Sequence, residues 1–380
     1  MKILVTMNSL QQGGAEKSAL KLATGLASDG HEVCVYPWNN EKDFFEIPSG
    51  VTRVHPSRRF STILRKLEGL PDGLRHRING IFHIAGFRKH VITSGYEVVI
   101  AFESNIGSVV AISLMSSGVP LVVSERISPN SKVHQSSTYA QRLRPWIYRK
   151  GVICSVQSRG FQSWVSENWQ IDSIVTPNHV SDDWLEPEEL VAREKKVIAL
   201  GRFDDQKDFR SLIVAWSLIE DELPNWRLEI HGRGDITSHY FQMRGLGLKN
   251  LHFYPATNKS KEIISSASIL VSSSKYEGFP NVVLEALARL TPTVSTKSSD
   301  VISDFESEQS LIAVSTEDPG QLANAILRVA TNPTLQTELG LKGYAVASRF
   351  TWEGVRNTWY SAISSAQIRG GIKLIRRRGF

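Results

Sequence analysis

The first 36 residues already restrict the chain to one class of architecture. Lys2–Met7 (KILVTM) is a short β-forming run, and a polar loop over residues 8–14 follows it. Ala19, Leu22, Ala23 and Leu26 then fall at the i, i+3, i+4, i+7 spacing of one buried helix face, which predicts a helix over 15–28. Gly30 stands where that helix has to stop, and residues 32–36 are again strand-like. Strand, loop, helix, strand in this order is the unit from which parallel, doubly wound sheets are built.

The same grammar continues. Buried strands are expected at Val98–Phe102, Leu121–Ser124, 151–156 and 173–176, with a helix over 106–115. After residue 180 the pattern restarts beyond a charged, linker-like stretch at 186–196. Strands are expected at 197–200, 226–231, 251–254, 269–272 and 293–295, and helices at 209–219, 280–290 and 320–331. The halves show no internal repetition, so the expectation is a shared architecture rather than a duplication. A length of 380 residues fits two domains. Ligands of open parallel sheets bind beyond the C-terminal strand ends. Two such domains facing each other would enclose a cleft lined by loops 8–14, 103–107, 124–130, 201–208, 232–235 and 274–281.

With 41% hydrophobic and 22% charged residues, the chain has material for sizeable cores, which excludes bulk disorder. No apolar run approaches the roughly 18 residues of a membrane span. The opening run Met1 to Met7 is too short for a signal sequence, and Cys34 and Cys154 read as buried reduced thiols, so a cytoplasmic location is expected. The net charge of +6 is unevenly spread. Residues 53–90 hold nine Lys/Arg and two acids, 126–159 hold seven and none, and 369–378 add five cations. Such clusters suit a phosphate-bearing partner or an anionic membrane, and 58–67 (RRFSTILRKL) interleaves cations with apolar residues as a surface-lying helix would. Nothing in this pattern calls for nucleic acid.

Four loops carry residues suited to chemistry. Gly13 and Gly14, before a helix, let backbone N–H groups approach an anion. His231-Gly232-Arg233-Gly234 lacks the third glycine of a dinucleotide fingerprint, which counts against an oxidoreductase. In Gly201-Arg202-Phe203-Asp204-Asp205-Gln206-Lys207, a forked guanidinium and a point ammonium suit a diphosphate leaving group. The most specific run is Ser274-Lys275-Tyr276-Glu277-Gly278-Phe279-Pro280-Asn281-Val282-Val283-Leu284-Glu285. It puts one carboxylate in a loop and a second inside the following helix, with Pro280 suited to the first helical turn.

On these residues the chain resembles a GT-B glycosyltransferase of family 4, the retaining, nucleotide-sugar-dependent group. Within it, the chain is similar to bacterial enzymes of cell-surface polysaccharide, lipopolysaccharide and lipid-linked oligosaccharide synthesis. The family carries two glutamates separated by seven residues, as Glu277 and Glu285 are. It also carries an early G-G-A-E loop, an Arg/Lys pair after the first strand of the second domain, a P-N hinge (Pro177-Asn178) and a closing helix announced here by Phe350-Thr351-Trp352-Glu353. Two positions depart from its pattern: Pro255, and Ser298-Ser299-Asp300 in place of a glycine-rich turn.

The resemblance implies a GT-B fold of two Rossmann-like doubly wound parallel-sheet domains. Residues 1–178, closed by a helix over about 352–380, would bind acceptor, and 179–351 would bind the nucleotide-sugar donor. Arg202 and Lys207 would neutralise the leaving diphosphate, Gly14 would lie beside it, and Gly13 and Gly232 would be further donor-binding positions. Glu277 with Gly278, Phe279, Pro280 and Asn281 would hold the donor sugar, and Glu285 the ribose hydroxyls. No metal or cofactor would be needed, since the cations take its place. The partners implied are a UDP-type donor, a lipid-diphosphate-linked or lipopolysaccharide acceptor, and the cytoplasmic face of the inner membrane. In some members Ser124-Glu125-Arg126 reads S-E-H; here Glu125 would orient acceptor or donor, and Arg126 would bind an acceptor phosphate, with a plain loop ion pair as the alternative. Glu103 and Asn105 are further acceptor candidates. The competing functions are transfer to a soluble acceptor and a non-catalytic assembly role on the same fold.

Overall fold

The computed structural model describes residues 1–11, 13–39, 43–54, 72–126, 139–186 and 193–377, with side chains left aside at 72–80, 139–142 and 371–377. The chain divides into two compact units, Met1–Pro177 with Arg356–Phe380, and Asn178–Val355.

In the first unit the elements run β1 (Lys2–Met7), α1 (Gly14–Ser28), β2 (Glu32–Pro37), β3 (Val51–Arg53), α2 (Asp72–Thr93), β4 (Val98–Phe102), α3 (Ser104–Ser113), β5 (Leu121–Ser124), α4 (Tyr139–Arg149), β6 (Ile153–Val156), α5 (Arg159–Trp169) and β7 (Ser173–Val175). The strands form one parallel sheet in the order β3-β2-β1-β4-β5-β6-β7. Leu4 lies in register with Cys34 on one side and Val99 on the other, so the strand order reverses about β1. That reversal opens the crevice in which such sheets bind ligands. Strands covered on both faces must be apolar throughout, and Ile3, Leu4, Val5 and all of β4 are buried. The four α1 residues picked out by spacing are buried as well.

In the second unit the order is β8 (Glu194–Arg202), α6 (Phe209–Ser217), β9 (Arg227–Arg233), α7 (Thr237–Gly245), β10 (Leu251–Pro255), α8 (Ser260–Ser266), β11 (Ala267–Ser272), α9 (Asn281–Ala288), β12 (Thr293–Thr296), α10 (Asp300–Ser307), β13 (Ile312–Val314), α11 (Pro319–Ala330) and α12 (Pro333–Ala347). Its parallel sheet runs β10-β9-β8-β11-β12-β13. One face is packed by Leu212, Ile213 and Trp216 with Ile326 and Val329. The other is packed by Leu284, Leu287, Ile302, Phe305 and Val346. The last helix, α13 (Trp352–Arg377), begins among the residues of the second unit and belongs to the first from Arg356 onward. There Tyr360 donates to Asp29 Oδ2 at 2.7 Å, Trp359 stacks on Phe102, and Arg369 donates to the Val152 carbonyl at 3.0 Å.

The structure extends the strand expected at 197–200 back to Glu194, inside the stretch read as a linker. Cross-strand ion pairs explain it: Lys196 meets Glu194 and Glu229, and Arg227 meets both glutamates, so the charges sit on paired strands. The proposed surface helix over 58–67 lies outside the described residues, as do 127–138 of the second basic cluster and the final residues of the tail. Among the described residues no helix is long and apolar enough to cross a membrane. Cys34 and Cys154 are both free and buried.

Candidate functional site

The C-terminal ends of β8 and β11 bring the most specific residues together. β8 ends in Gly201-Arg202. A Cβ at Gly201 would stand 3.0–3.1 Å from the Lys207 side chain, so the glycine makes room for that chain to lie back along the strand end. The intervening loop folds because Asp204 accepts from the Lys207 N–H, through its carbonyl at 3.3 Å and its Oδ1 at 3.1 Å, and Asp208 caps α6 through Ser211. Lys207 Nζ then reaches Glu277 Oε1 at 2.6 Å.

Glu277 is 9% exposed and well supplied with donors. Ser274 Oγ donates to Oε1 at 2.7 Å and Gln206 Nε2 to Oε2 at 3.4 Å. Its own N–H donates to the Ser298 carbonyl at 2.8 Å. The loops are laced further: Lys275 N donates to Gln206 O at 2.8 Å, Ser273 Oγ to Lys207 O at 2.8 Å, and Thr296 Oγ1 to Ser274 O at 2.5 Å. A carboxylate held by three donors on an anchored backbone is preorganised, which is what electrostatic catalysis asks of it. Arg202 is half-exposed beside this centre, held by Asp204 Oδ2 at 3.0 Å and donating to Gln206 Oε1 at 3.4 Å.

The remaining donor candidates fall on α9 and its approach. Pro280 occupies the N-cap position rather than the first turn, and it offers no side-chain cap to the helix. Gly278 is partly exposed. The Phe279 side chain packs between Phe305 and Phe350 in the core, which leaves its backbone as the part available to a ligand. Asn281 Oδ1 accepts from Asn178 Nδ2 at 2.6 Å, tying the P-N element to the start of α9. Glu285 is 5% exposed, one turn into the helix. At Gly232 a Cβ would stand 2.0 Å from the Gly201 carbonyl, so the ends of β8 and β9 approach as only glycine allows. Gln206 and Ser274, which orient Glu277, were missed in the sequence reading, although each stands inside a motif that it singled out.

In the first unit, Gly13 is the N-cap of α1 and Gly14 its exposed first residue, with the Glu16 carboxylate folded against Gly13. Glu103 follows β4 with φ 71°, an uncommon conformation for a side-chain-bearing residue and one that clusters at functional sites. Asn105 is exposed in the first turn of α3. Glu125 is 0% exposed, with Tyr148 OH donating to Oε1 at 2.5 Å and Ser104 Oγ donating to Oε2. Hydroxyls, rather than the neighbouring Arg126, take both oxygens, because α3 and α4 bring them in from the core side. Burial, and then the Glu125 charge, push the Tyr148 phenol well above its ordinary range. Arg126 instead lays its guanidinium over the rings of Phe102, at 4.5 Å, and Trp359, at 5.5 Å. Burial lowers it to about 9, which leaves it cationic at neutral pH. Among the described residues no three His, Cys, Asp or Glu side chains converge as a metal site requires.

Residues 13–179 match the family of glycosyl transferase 4-like domains, and residues 194–332 match the glycosyl transferases group 1. The chain is 22% identical over 375 residues to a Campylobacter jejuni GalNAc-alpha-(1->4)-GalNAc-alpha-(1->3)-diNAcBac-PP-undecaprenol alpha-1,4-N-acetyl-D-galactosaminyltransferase, covering 97% of this chain and 99% of that one. Among solved structures, Anabaena HepE in complex with UDP shares the fold with a TM-score of 0.76 at 17% identity, over 96% of this chain and 100% of that one. WaaG, a glycosyltransferase involved in lipopolysaccharide biosynthesis, does so with a TM-score of 0.71 at 15% identity, over 95% and 98%. Since the two matches follow each other along the chain in the order of its two sheets, the chain belongs to family 4 of the GT-B glycosyltransferases.

Proposed function

We propose that the protein is a retaining, metal-independent glycosyltransferase that moves a sugar from a nucleoside diphosphate sugar, a UDP-sugar in the simplest case, to a hydroxyl of a lipid-diphosphate-linked or surface-glycan acceptor. The observation that carries this reading is the 2.6 Å contact of Lys207 with Glu277, with Arg202 ending β8, the strand whose following loop carries Lys207. Two fixed cations answer the charge of a departing diphosphate, and a fixed carboxylate accepts from sugar hydroxyls.

In this reading the bond from the anomeric carbon to the diphosphate oxygen breaks as Arg202 and Lys207 take up the developing negative charge. The acceptor oxygen bonds to the same face of the anomeric carbon, and its proton passes to the departing phosphate oxygen. Glu277 and the backbone of Gly278, Phe279 and Pro280 hold the sugar, Glu285 holds the ribose hydroxyls, and Gly13 and Gly14 serve the diphosphate. Arg126, with Glu103 and Asn105, serves the acceptor in the first unit. The lipid-linked acceptor is supported by the name of the Campylobacter relative and by the basic clusters of the sequence, and UDP by its presence in the HepE complex. The enzyme then works at the cytoplasmic face of the inner membrane.

The test is a thermal-shift panel of UDP-, GDP- and ADP-sugars, followed by transfer to a polyprenyl-diphosphate-linked glycan and assignment of the product anomer by NMR. Stabilisation by one nucleotide series and an anomer matching that of the donor are expected. An inverted anomer, or stabilisation by no nucleotide sugar, overturns the reading. Failure to float with anionic liposomes at low salt would move the assignment to a soluble acceptor.

A further inference from the structure

The turn between β12 and α10 carries two hydroxyls with nothing to bond. Ser298 is 3% exposed, and neither its Oγ nor that of Ser299, both closed to solvent, has a hydrogen-bond partner. Ser299 is the N-cap of α10 in extended backbone, the place where a serine ordinarily accepts from an N–H of the first turn. Here it makes no such bond. The turn is held by its backbone instead: Lys297 N donates to Val314 O at 2.8 Å, Ser298 N to Thr296 O at 2.7 Å and Ile302 N to Ser299 O at 3.1 Å.

The surrounding hydroxyls are all engaged. Ser273 bonds the Lys207 carbonyl, Ser274 bonds Glu277, Ser295 bonds the Thr296 carbonyl and Thr296 bonds the Ser274 carbonyl. Buried polar groups in folded chains are nearly always paired, and an exception calls for a missing ligand or water. The turn is also next to the centre just described, because the Ser298 carbonyl accepts from the Glu277 N–H at 2.8 Å.

We infer that the Ser298 and Ser299 hydroxyls bond ring hydroxyls of the sugar carried by the donor, and so decide which sugar is accepted. The inference rests on the reading of Glu277 as the residue that holds that sugar. The chemistry favours a neutral polyol over the diphosphate. Glu277 lies on one side of the turn, and Asp300 already brings a negative charge to the first turn of α10, so a phosphate there meets repulsion. A serine hydroxyl both donates and accepts, as a sugar hydroxyl does, and it re-aims by rotation about one bond. A site built to bond a hydroxyl rejects the epimer that lacks it in that position.

The test uses the full chain with Ser298→Ala and Ser299→Ala combined, and Ser298→Cys as a variant of nearly unchanged volume. Binding of UDP alone, UDP-glucose, UDP-galactose, UDP-N-acetylglucosamine, UDP-N-acetylgalactosamine and GDP-mannose is measured by calorimetry. Affinity for the bare nucleotide is expected to stay as in the wild type. Affinity for the preferred nucleotide sugar is expected to fall about five- to tenfold, with the preference over its epimer narrowed. The ligand-free Tm should hold or rise, because an unpaired buried hydroxyl is removed. A double variant with the wild-type sugar preference overturns the inference and leaves the donor reading standing. So does a lowered ligand-free Tm, which would mean that the hydroxyls are satisfied within the chain. A wild type that binds none of the nucleotide sugars overturns the donor reading and this inference with it.

Discussion

Lys207 and Glu277 are 70 residues apart in sequence and 2.6 Å apart in space, and their contact joins the loops that follow β8 and β11. The ammonium orients the carboxylate before any ligand arrives. Lys207→Ala should therefore remove a leaving-group cation and loosen Glu277 together, lowering transfer on the order of 10²–10³-fold. Because the pair acts as a unit, Lys207→Met combined with Glu277→Gln should lose less than the product of the two single losses. Nucleotide release under saturating donor measures both, and an unchanged rate in Lys207→Ala would sink the assignment.

Arg202 stands differently, half-exposed and braced by Asp204. Its planar fork can engage two phosphate oxygens at once, which a lysine cannot. Arg202→Ala should match the loss of Lys207→Ala, on the order of 10²–10³-fold, and Arg202→Lys should recover only part of it. Full recovery with lysine would show that charge alone matters there.

Glu285 is almost wholly buried on α9, and its proposed role on the ribose is tested with the nucleotide. If it bonds the ribose hydroxyls, Glu285→Gln should weaken UDP about tenfold or more. It should weaken a 2′,3′-dideoxy analogue little. Equal loss for both nucleotides in calorimetry would assign Glu285 to the fold instead.

How much of this was legible in the sequence depended on how each element is buried. β4 and β5 were read with their bounds correct because strands covered on both faces are continuously apolar. The start of β8 was hidden because Glu194 and Lys196 are neutralised by Glu229 and Arg227, residues that sequence spacing does not connect. The helix α12 was not predicted, since it packs through glycines: a Cβ at Gly340 would stand 2.6 Å from the Leu290 carbonyl, and one at Gly343 2.8 Å from Leu287 Cδ2. Propensity reads such glycines as breakers. At the site, only the family resemblance put Lys207 and Glu277 on one donor, because they stand in loops 70 residues apart that no local pattern connects. The inward turn of Glu125 was decided by Ser104 and Tyr148, and no local pattern around Glu125 announces them.

Glu229 gives the second unit an acid-sensitive anchor. Its carboxyl is held at about 2, down from an ordinary 4.5, first by the His231 hydrogen bond and then by Arg227 and Lys196, against the opposing effect of burial. A depressed carboxyl stabilises the folded state fully above its unfolded value and loses that contribution as pH falls toward the folded one. Stability should therefore decline between about 4.5 and about 2, and Glu229→Gln should flatten that limb while lowering stability at neutral pH. Urea midpoints across the acid range measure it, and parallel wild-type and variant curves would rule the anchor out.

Two glycines of the same unit should answer alanine in opposite ways. At Gly232 the new Cβ would press to 2.0 Å on the Gly201 carbonyl and to 3.0 Å on the Phe203 ring. Backbone cannot swing aside as a side-chain tip does, so β8 and β9 must part just before Arg202. Gly232→Ala should destabilise by about 1–3 kcal/mol, and it should cut transfer by more than its Tm loss explains, because Arg202 moves with the strand end. At Gly320, in the first turn of α11, the nearest atom that a Cβ would meet among the described residues is Asp318 Oδ1 at 3.5 Å, an ordinary contact. There alanine should stabilise by about 0.4–1 kcal/mol, mainly by restricting the unfolded chain. Equal Tm shifts of one sign in the two variants would mean that the approach at Gly232 is loose, and that the position of Arg202 does not depend on it.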